Sequence, residues 1–337
     1  MLNTVTIYSI FSFLTLLFVS TISYKFNLLD LPNKRKTHAK PTAYTGGIAL
    51  SFIYLYSLQL FDIMNEDLSL ILSAAFLISI IGLIDDKYHL NIGNKLSLQI
   101  IPIFYLIVFE KLNLTQIGNY DYFELNLESF ATPFTLLCVL FLINSFNYFD
   151  GIDGTLSFTS FSVLIILFFL IPNEDIRLFL ITIFIPICFF LCFNFSIFKI
   201  PKLFLGDSGS LLLGFIISFI LIYLANEKIV HPILLAWSIA IFVFEFLSIN
   251  LLRLKNKKNI FKAGRDHLHH ILIKRTRSIF LTNFLIFAIN ITLFVVGYVA
   301  FEFFNPLASL ILYIIFFIIF FILRNILFFT KKNNHFY

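Results

Sequence analysis

Long apolar stretches separated by short polar segments follow one another along this chain. A bilayer core about 30 Å thick requires roughly 20 apolar residues per helix, and this measure predicts eleven spans. Their predicted bounds are 4–24, 46–63, 68–84, 96–110, 131–149, 156–172, 177–198, 208–226, 231–252, 279–301 and 307–329. The pattern therefore predicts an all-α, polytopic integral membrane helical bundle with about 11 transmembrane helices, in which residues 1–337 form a single transmembrane domain.

Composition and charge agree with a membrane protein and predict its orientation. Hydrophobic residues make up 59% of the chain and charged residues only 13%. If the N-terminus lies outside, 21 of the 24 Lys and Arg residues fall on the inner side, leaving Lys111, Arg177 and Lys228 outside. Positive charge concentrates on the cytoplasmic side of membrane proteins, so the C-terminus is predicted to be cytoplasmic. The net charge of +5 indicates anionic ligands or lipid, and no nucleic-acid partner.

The acidic residues divide by side of the membrane. Eleven lie in outer loops or at span ends, where they are interpreted as solvated, and Glu245, inside the ninth predicted span, is given no role. The seven on the inner side are all aspartates: Asp30, Asp85, Asp86, Asp150, Asp153, Asp207 and Asp266. Because short, stiff Asp side chains can hold oxygens close to a hard cation such as Mg²⁺, the pattern indicates a metal-assisted site.

Two stretches give these aspartates local context. In "NSFNYFDGIDG", Asn144, Asn147 and Asp150 recur every three residues on one helical face, and two glycines end the helix so that Asp153 turns back toward them. In "GLIDDKYHLN", Asp85 and Asp86 form a like-charge pair that stays ionised most easily beside a cation. Simple solvation of a helix end explains that pair equally well.

Basic residues accompany the aspartates. The first inner loop carries Lys34, Arg35, Lys36, His38 and Lys40, and a later one carries Arg265, His267, His269 and His270. The histidines suit phosphate better than zinc, because no Cys or inner Glu accompanies them; a solvated amphipathic segment is a third interpretation. Acids for Mg²⁺ and bases for phosphate at one membrane face indicate phosphoryl transfer to a lipid phosphate. The active-site loops are 25–45, 85–96, 150–155, 199–208 and 253–278.

Five segments in order, "DLPNKRKTHAKPTAYTGG", "GLIDDKYHLN", "NSFNYFDGIDG", "KIPKLFLGDSGS" and "GRDHLHH", resemble the polyprenyl-phosphate N-acetylhexosamine-1-phosphate transferases. The resemblance implies a multi-pass protein of the bacterial inner (cytoplasmic) membrane with its active site facing the cytoplasm. It implies transfer of an N-acetylhexosamine 1-phosphate from a UDP-sugar to undecaprenyl phosphate with release of UMP, starting lipid-linked O-antigen or other cell-surface polysaccharide synthesis. Mg²⁺ is the implied cofactor, with Mn²⁺ as a substitute, and a homodimer is left open.

The resemblance also implies roles for individual residues. Asp207 resembles the principal Mg²⁺ ligand and Asn147 a second one, while Asp85 and Asp86 match an acidic pair acting on the lipid phosphate or the metal. Asp150 and Asp153 match a loop that contacts the nucleotide. The implied substrate-binding residues are Lys36, Lys95 near the lipid phosphate, Asn144, Phe204 against uracil, and Arg265, His267, His269 and His270 around the donor pyrophosphate.

The histidine motif bears on the donor. HxHH after an Arg resembles the branch that uses simple UDP-N-acetylhexosamines, and GlcNAc is the first expectation. Phospho-N-acetylmuramoyl-pentapeptide transfer in peptidoglycan synthesis is the alternative within the family. An ion-coupled transporter is the alternative of another class, but its acids are expected near mid-membrane in repeat-related helices, and this chain has inner acids and no repeat.

Overall fold

The computed structural model describes residues 2–32, 40–63, 65–257, 264 and 266–333, with side chains as far as 327. Thirteen α-helices occur in this part of the chain: α1 Leu2–Lys25, α2 Gly46–Leu60, α3 Glu66–Tyr88, α4 Ile92–Phe104, α5 Ala131–Phe149, α6 Thr155–Leu170, α7 Glu174–Asn194, α8 Gly206–Asn226, α9 Pro232–Ser238, α10 Ala240–Lys255, α11 Leu268–Thr276, α12 Ile279–Phe303 and α13 Pro306–Asn333. A π-helical segment, Tyr105–Phe109, continues α4.

The strands are short and lie in the connecting segments. β1 (Leu29–Asp30) pairs antiparallel with β2 (Thr42–Ala43), and β3 (Gln116–Asn119) pairs antiparallel with β4 (Glu124–Asn126). The described part of the chain is therefore almost entirely helical, which confirms the predicted class of helical membrane bundle.

Helix α8 forms the centre of the bundle. Every residue from Ser208 to Leu224 is buried, and the helix packs against α2, α3 and α5. A Cβ on Gly47 would overlap the backbone of Gly209, and a Cβ on Gly82 would overlap that of Ser208. Small residues allow such close helix crossings in membrane proteins, so these two glycines bring α2 and α3 against the start of α8.

The predicted apolar spans all coincide with helices, although they differ in length. Eight helices are long and apolar enough to cross a membrane, whereas α2 and α6 are shorter apolar helices, within the residues described. The predicted span 231–252 is a bent pair, α9 and α10, with an angle of 71° between them. Asn290 stabilises this bend: its amide donates to the Ser238 carbonyl at 2.8 Å and accepts from the Ile241 amide at 3.2 Å.

Candidate active site

An acidic cluster lies where α3 ends and α8 begins. Lys95, in the first turn of α4, reaches between the two helices: its ammonium lies 2.7 Å from Asp85 Oδ2 and contacts Asp207 Oδ2 directly. Asp85 Oδ1 also accepts the Leu90 amide at 2.9 Å, which fixes the turn between α3 and α4. Two of the predicted acids, Asp85 and Asp207, therefore meet around the Lys95 ammonium.

Helix α5 supplies an amide to the same cluster. Asn147 Nδ2 donates to Asp207 Oδ1 and to Ser210 Oγ, both at 2.8 Å. Asp86 faces the start of α8, where its Oδ2 accepts the Ser208 amide at 3.4 Å. Asn144, which was predicted to bind substrate, lies on the same helix, and its Nδ2 donates to the Leu140 carbonyl at 2.7 Å. The shared helical face thus brings Asn147, but not the amide nitrogen of Asn144, to Asp207.

A second group of site residues surrounds Phe204. The Phe204 amide donates to the Ala43 carbonyl at 2.8 Å, and its carbonyl accepts the Gly46 amide at 3.0 Å, so the loops before α2 and α8 run side by side. The Lys202 ammonium lies 5.2 Å from the centre of the Phe204 ring and 2.6 Å from Asp153 Oδ2. Asp153 is therefore paired with Lys202 at the aromatic ring that was predicted to contact uracil.

A cavity adjoins this second group. Its volume is about 740 Å³, and its lining includes Tyr24, Lys40, Thr42, Lys199 and Lys202. Lys202 belongs to both the cavity and the ion pair with Asp153. The recess therefore combines positive charge with apolar walls next to Phe204, a combination suited to part of an anionic ligand.

Asp150 ends α5 between the two groups. Loss of hydration raises the pKa of its carboxyl to about 8, and the negative charges of Asp207 and Asp153 add to this effect. A cation bound nearby would lower this pKa, because it would favour the ionised form. A metal ion bound nearby would therefore stabilise the ionised form of the Asp150 carboxyl.

Residues 266–270, here called the histidine segment, pack against the loop after α5. The Nε2 end of the His269 ring lies so close to Gly151 that a Cβ there would overlap it, and the His267 ring lies 4.9 Å from the Tyr148 ring. His267 Nδ1 and His269 Nε2 have no hydrogen-bond partner among the described residues. Burial lowers the pKa of His267 to about 4 and that of His269 well below its ordinary value. Both imidazoles are therefore neutral at pH 7 in this structure.

Charged residues that the sequence analysis did not use hold this segment. Arg253 forms a double hydrogen bond with the Asp266 carboxylate at 2.8 and 3.2 Å. Glu245, which was given no role, accepts the Leu268 amide at 2.7 Å and pairs with Arg324 at 2.7 Å. The sequence did contain a signal for this pair: Glu245 and Arg324 both lie inside apolar spans. Such charges are costly in a membrane unless they are paired.

The acidic cluster contains the candidate metal ligands. No group of three His, Cys, Asp or Glu side chains already arranged to hold a metal ion, whether zinc or magnesium, occurs in the described part of the chain. Asp85 and Asp207, by contrast, already converge on one cationic group, with the Asn147 amide beside them. Carboxylate and amide oxygens are ligands that hard cations prefer. Lys36 and Arg265 lie outside the described residues.

A known protein family and several known proteins resemble this chain in sequence. The family model described as glycosyl transferase family 4 matches residues 68–225. The undecaprenyl-phosphate alpha-N-acetylglucosaminyl 1-phosphate transferase of Escherichia coli (strain K12) is 30% identical over 275 residues, covering 79% of this chain and 75% of that protein. This chain belongs to glycosyl transferase family 4.

Two further relatives extend the comparison. The protein of the same name from Yersinia pestis is 27% identical over 272 residues, covering 79% of this chain and 74% of its own. The probable undecaprenyl-phosphate N-acetylglucosaminyl 1-phosphate transferase of Bacillus subtilis (strain 168) is 29% identical over 269 residues, covering 76% and 72%. The family predicted from the five segments is thereby confirmed, as is the prediction that the chain is a transferase enzyme.

Proposed function

We propose that this protein transfers N-acetylglucosamine 1-phosphate from UDP-N-acetylglucosamine to undecaprenyl phosphate and releases UMP. The convergence of α3, α4, α5 and α8 on Asp207 carries the proposal, because carboxylates, an amide and a lysine meet there at the ends of apolar helices. The relatives named for this reaction support the choice of substrates. The product would be the first lipid-linked intermediate of a cell-surface polysaccharide.

The reaction forms one bond and breaks one. An oxygen of the lipid phosphate attacks the phosphorus linked to the sugar, and the bond from that phosphorus to the UMP oxygen breaks. Bound Mg²⁺ would neutralise charge on the diphosphate, and Asp207, Asp85 and Asn147 are the residues that would hold it. Lys95 would then be released from the two carboxylates and its ammonium could face a phosphate oxygen.

The second group of residues suits the nucleotide. Phe204 offers an aromatic face for uracil, and the lysines beside the cavity balance negative charge on the donor. His267 and His269 are neutral at pH 7 and can each donate an N–H to the diphosphate. Arg265 is proposed to add a fixed charge there, and Lys36 a further one from the first inner loop.

The proposed setting is the bacterial inner membrane. We infer eleven spans, counting α2, α6 and the bent α9–α10 pair, with the N-terminus outside and the site facing the cytoplasm. The excess of Lys and Arg on the proposed inner side supports this orientation. The acidic cluster then lies at the water–lipid boundary, where a phosphate on a long isoprenoid chain would meet a soluble nucleotide sugar.

A donor panel tests the proposal. Protein solubilised in detergent is given undecaprenyl phosphate, Mg²⁺ and, in separate tubes, UDP-GlcNAc, UDP-GalNAc, a 6-deoxy UDP-HexNAc and UDP-MurNAc-pentapeptide, and lipid-linked product is followed by mass. We expect transfer from UDP-GlcNAc and none from the pentapeptide donor. Transfer from the pentapeptide donor alone would assign the chain to the peptidoglycan branch. No transfer by verified, folded protein would contradict the proposed reaction.

A further inference from the structure

Two buried charges from different helices form a close ion pair next to the histidine segment. Glu245 lies in the first half of α10 and Arg324 in the second half of α13, and their side chains are only 1% and 2% exposed. The guanidinium makes two contacts with the carboxylate, from Nε to Oε2 at 2.7 Å and from a terminal nitrogen to Oε1 at 3.2 Å. The two side chains therefore hold each other in one fixed geometry.

The same pair also binds the backbone on both sides of His267. Glu245 Oε1 accepts the Leu268 amide at 2.7 Å, which is an otherwise unpaired donor at the start of α11. A terminal nitrogen of Arg324 donates to the Asp266 carbonyl at 2.6 Å. Because the peptide groups before and after His267 are both anchored, the direction of its side chain is largely set by this pair.

Stability alone does not account for such a pair. Removing two charges from water costs several kcal/mol per ion, and replacing a buried ion pair by apolar residues of similar volume is often neutral or stabilising. The charges of Glu245 and Arg324 do provide hydrogen bonds to two backbone groups that apolar side chains could not provide. His267 Nδ1 is buried without a partner among the described residues, as expected for a group whose partner is a ligand.

We propose that Glu245 and Arg324 are a positioning pair that aims His267 at the diphosphate of the nucleotide-sugar donor. The assignment of the ligand rests on the proposed function. Arg253 also binds the Asp266 side chain. Side chains from α10 and α13 therefore fix the residues that lead into α11. Neither Glu245 nor Arg324 touches the substrate in this proposal; they act through the backbone of the histidine segment.

The principal test is the double variant Glu245→Leu/Arg324→Met, which removes both backbone anchors without leaving an unpaired charge. We expect it to fold, with a melting temperature in detergent close to that of the parent, because removing a buried ion pair offsets the loss of two backbone hydrogen bonds. Amide hydrogen exchange in a peptide covering 266–270 should be at least about tenfold faster. Donor kcat/KM should fall at least about tenfold, while KM for undecaprenyl phosphate stays within about twofold. Parental exchange and parental donor kcat/KM in the folded variant would overturn the proposal.

Two single variants complete the experiment. Ser309 lies on α13, as Arg324 does, and its hydroxyl accepts a buried hydrogen bond from the Trp237 indole N–H of α9 at 3.0 Å. Ser309→Ala removes this bond; we expect a lower melting temperature with unchanged exchange at 266–270. If the double variant does not fold, Arg324→Lys serves in its place, because one ammonium keeps the charge but cannot reproduce the contacts with both Glu245 and Asp266. Faster exchange at 266–270 with a retained fold supports positioning, and parental exchange contradicts it. Amide hydrogen exchange can be measured on protein that has no enzymatic activity. An inactive parent would therefore contradict the proposed function but not the positioning of the histidine segment.

Discussion

Asp207 is the side chain on which the acidic cluster depends, since α4 contacts one carboxylate oxygen and α5 the other. Asp207→Asn keeps the size of the side chain but removes the charge that would hold Mg²⁺. Loss of a ligand at a phosphoryl-transfer metal should cost on the order of several kcal/mol of transition-state stabilisation, so release of UMP should fall at least about a hundredfold. The measurement compares UMP release by the parent and the variant, with Mg²⁺ or Mn²⁺ supplied.

The matched control for this prediction is Asp121→Asn. Asp121 is exposed in the hairpin between β3 and β4 and has a left-handed backbone that Asn adopts readily. UMP release by the Asp121→Asn variant should therefore equal that of the parent. Near-parental turnover in folded Asp207→Asn would remove Asp207 from the site.

His267 should make the stability of the protein sensitive to acid. Burial lowers its pKa to about 4 in the folded state, whereas an unfolded histidine has a pKa near 6.5. Between these values the unfolded chain binds a proton that the folded chain does not, so lowering the pH destabilises the fold, by up to about 3 kcal/mol from this residue. The melting temperature should fall less between pH 7 and pH 5 in His267→Asn than in the parent.

An exposed histidine provides the control for acid sensitivity. His89 lies in the turn between α3 and α4 with a left-handed backbone, which Asn tolerates. His89→Asn should therefore follow the parent's fall in melting temperature. An identical fall in His267→Asn and the parent would show that His267 is not held neutral by burial.

At the scale of helices, the crossing of α3 and α8 controls the distance between Asp85 and Asp207. Gly82→Ala would place a methyl group on the Ser208 backbone, and overpacking of this kind typically costs about 1–3 kcal/mol. We expect a lower melting temperature together with reduced UMP release, because α3 must move away from the start of α8. Gly93→Ala is the control: its nearest atom, Asn91 Oδ1, lies 3.5 Å from the added Cβ, so both measurements should stay near the parent's. Equal behaviour of the two variants would mean that the crossing does not depend on a glycine.

At the scale of the whole molecule, the site requires the ends of α3 and α5 and the start of α8 to face the same side of the membrane. A reporter fused after Lys111 should be periplasmic, and one fused after Lys257 cytoplasmic, because Lys and Arg concentrate on the proposed inner side. Reporter activity and protease accessibility in intact cells distinguish the two locations. If the Lys257 fusion were periplasmic, the proposed orientation of the site would be wrong.

Much of the molecule followed from the sequence because the membrane restricts what a chain can do. Apolar length predicted helices at every span, since backbone groups in lipid must be paired within helices or closed barrels. The five segments also predicted the family, and the resemblance implied that Asn147 and Asp207 belong to one site, where the two side chains are hydrogen bonded. Apolar length is a local property of each segment, and the ordered motifs can be read from one sequence. Neither requires information about which helices pack against each other.

Tertiary structure decided which charges are paired. Three ion pairs join residues far apart in sequence: Lys95 with Asp207, Lys202 with Asp153, and Arg324 with Glu245. The 71° bend between α9 and α10 likewise depends on Asn290 from another helix. The physical reason is that hydropathy reports how each segment meets the membrane, whereas the partner of a buried polar group is set by how helices cross, and those crossings depend on side chains from several segments at once.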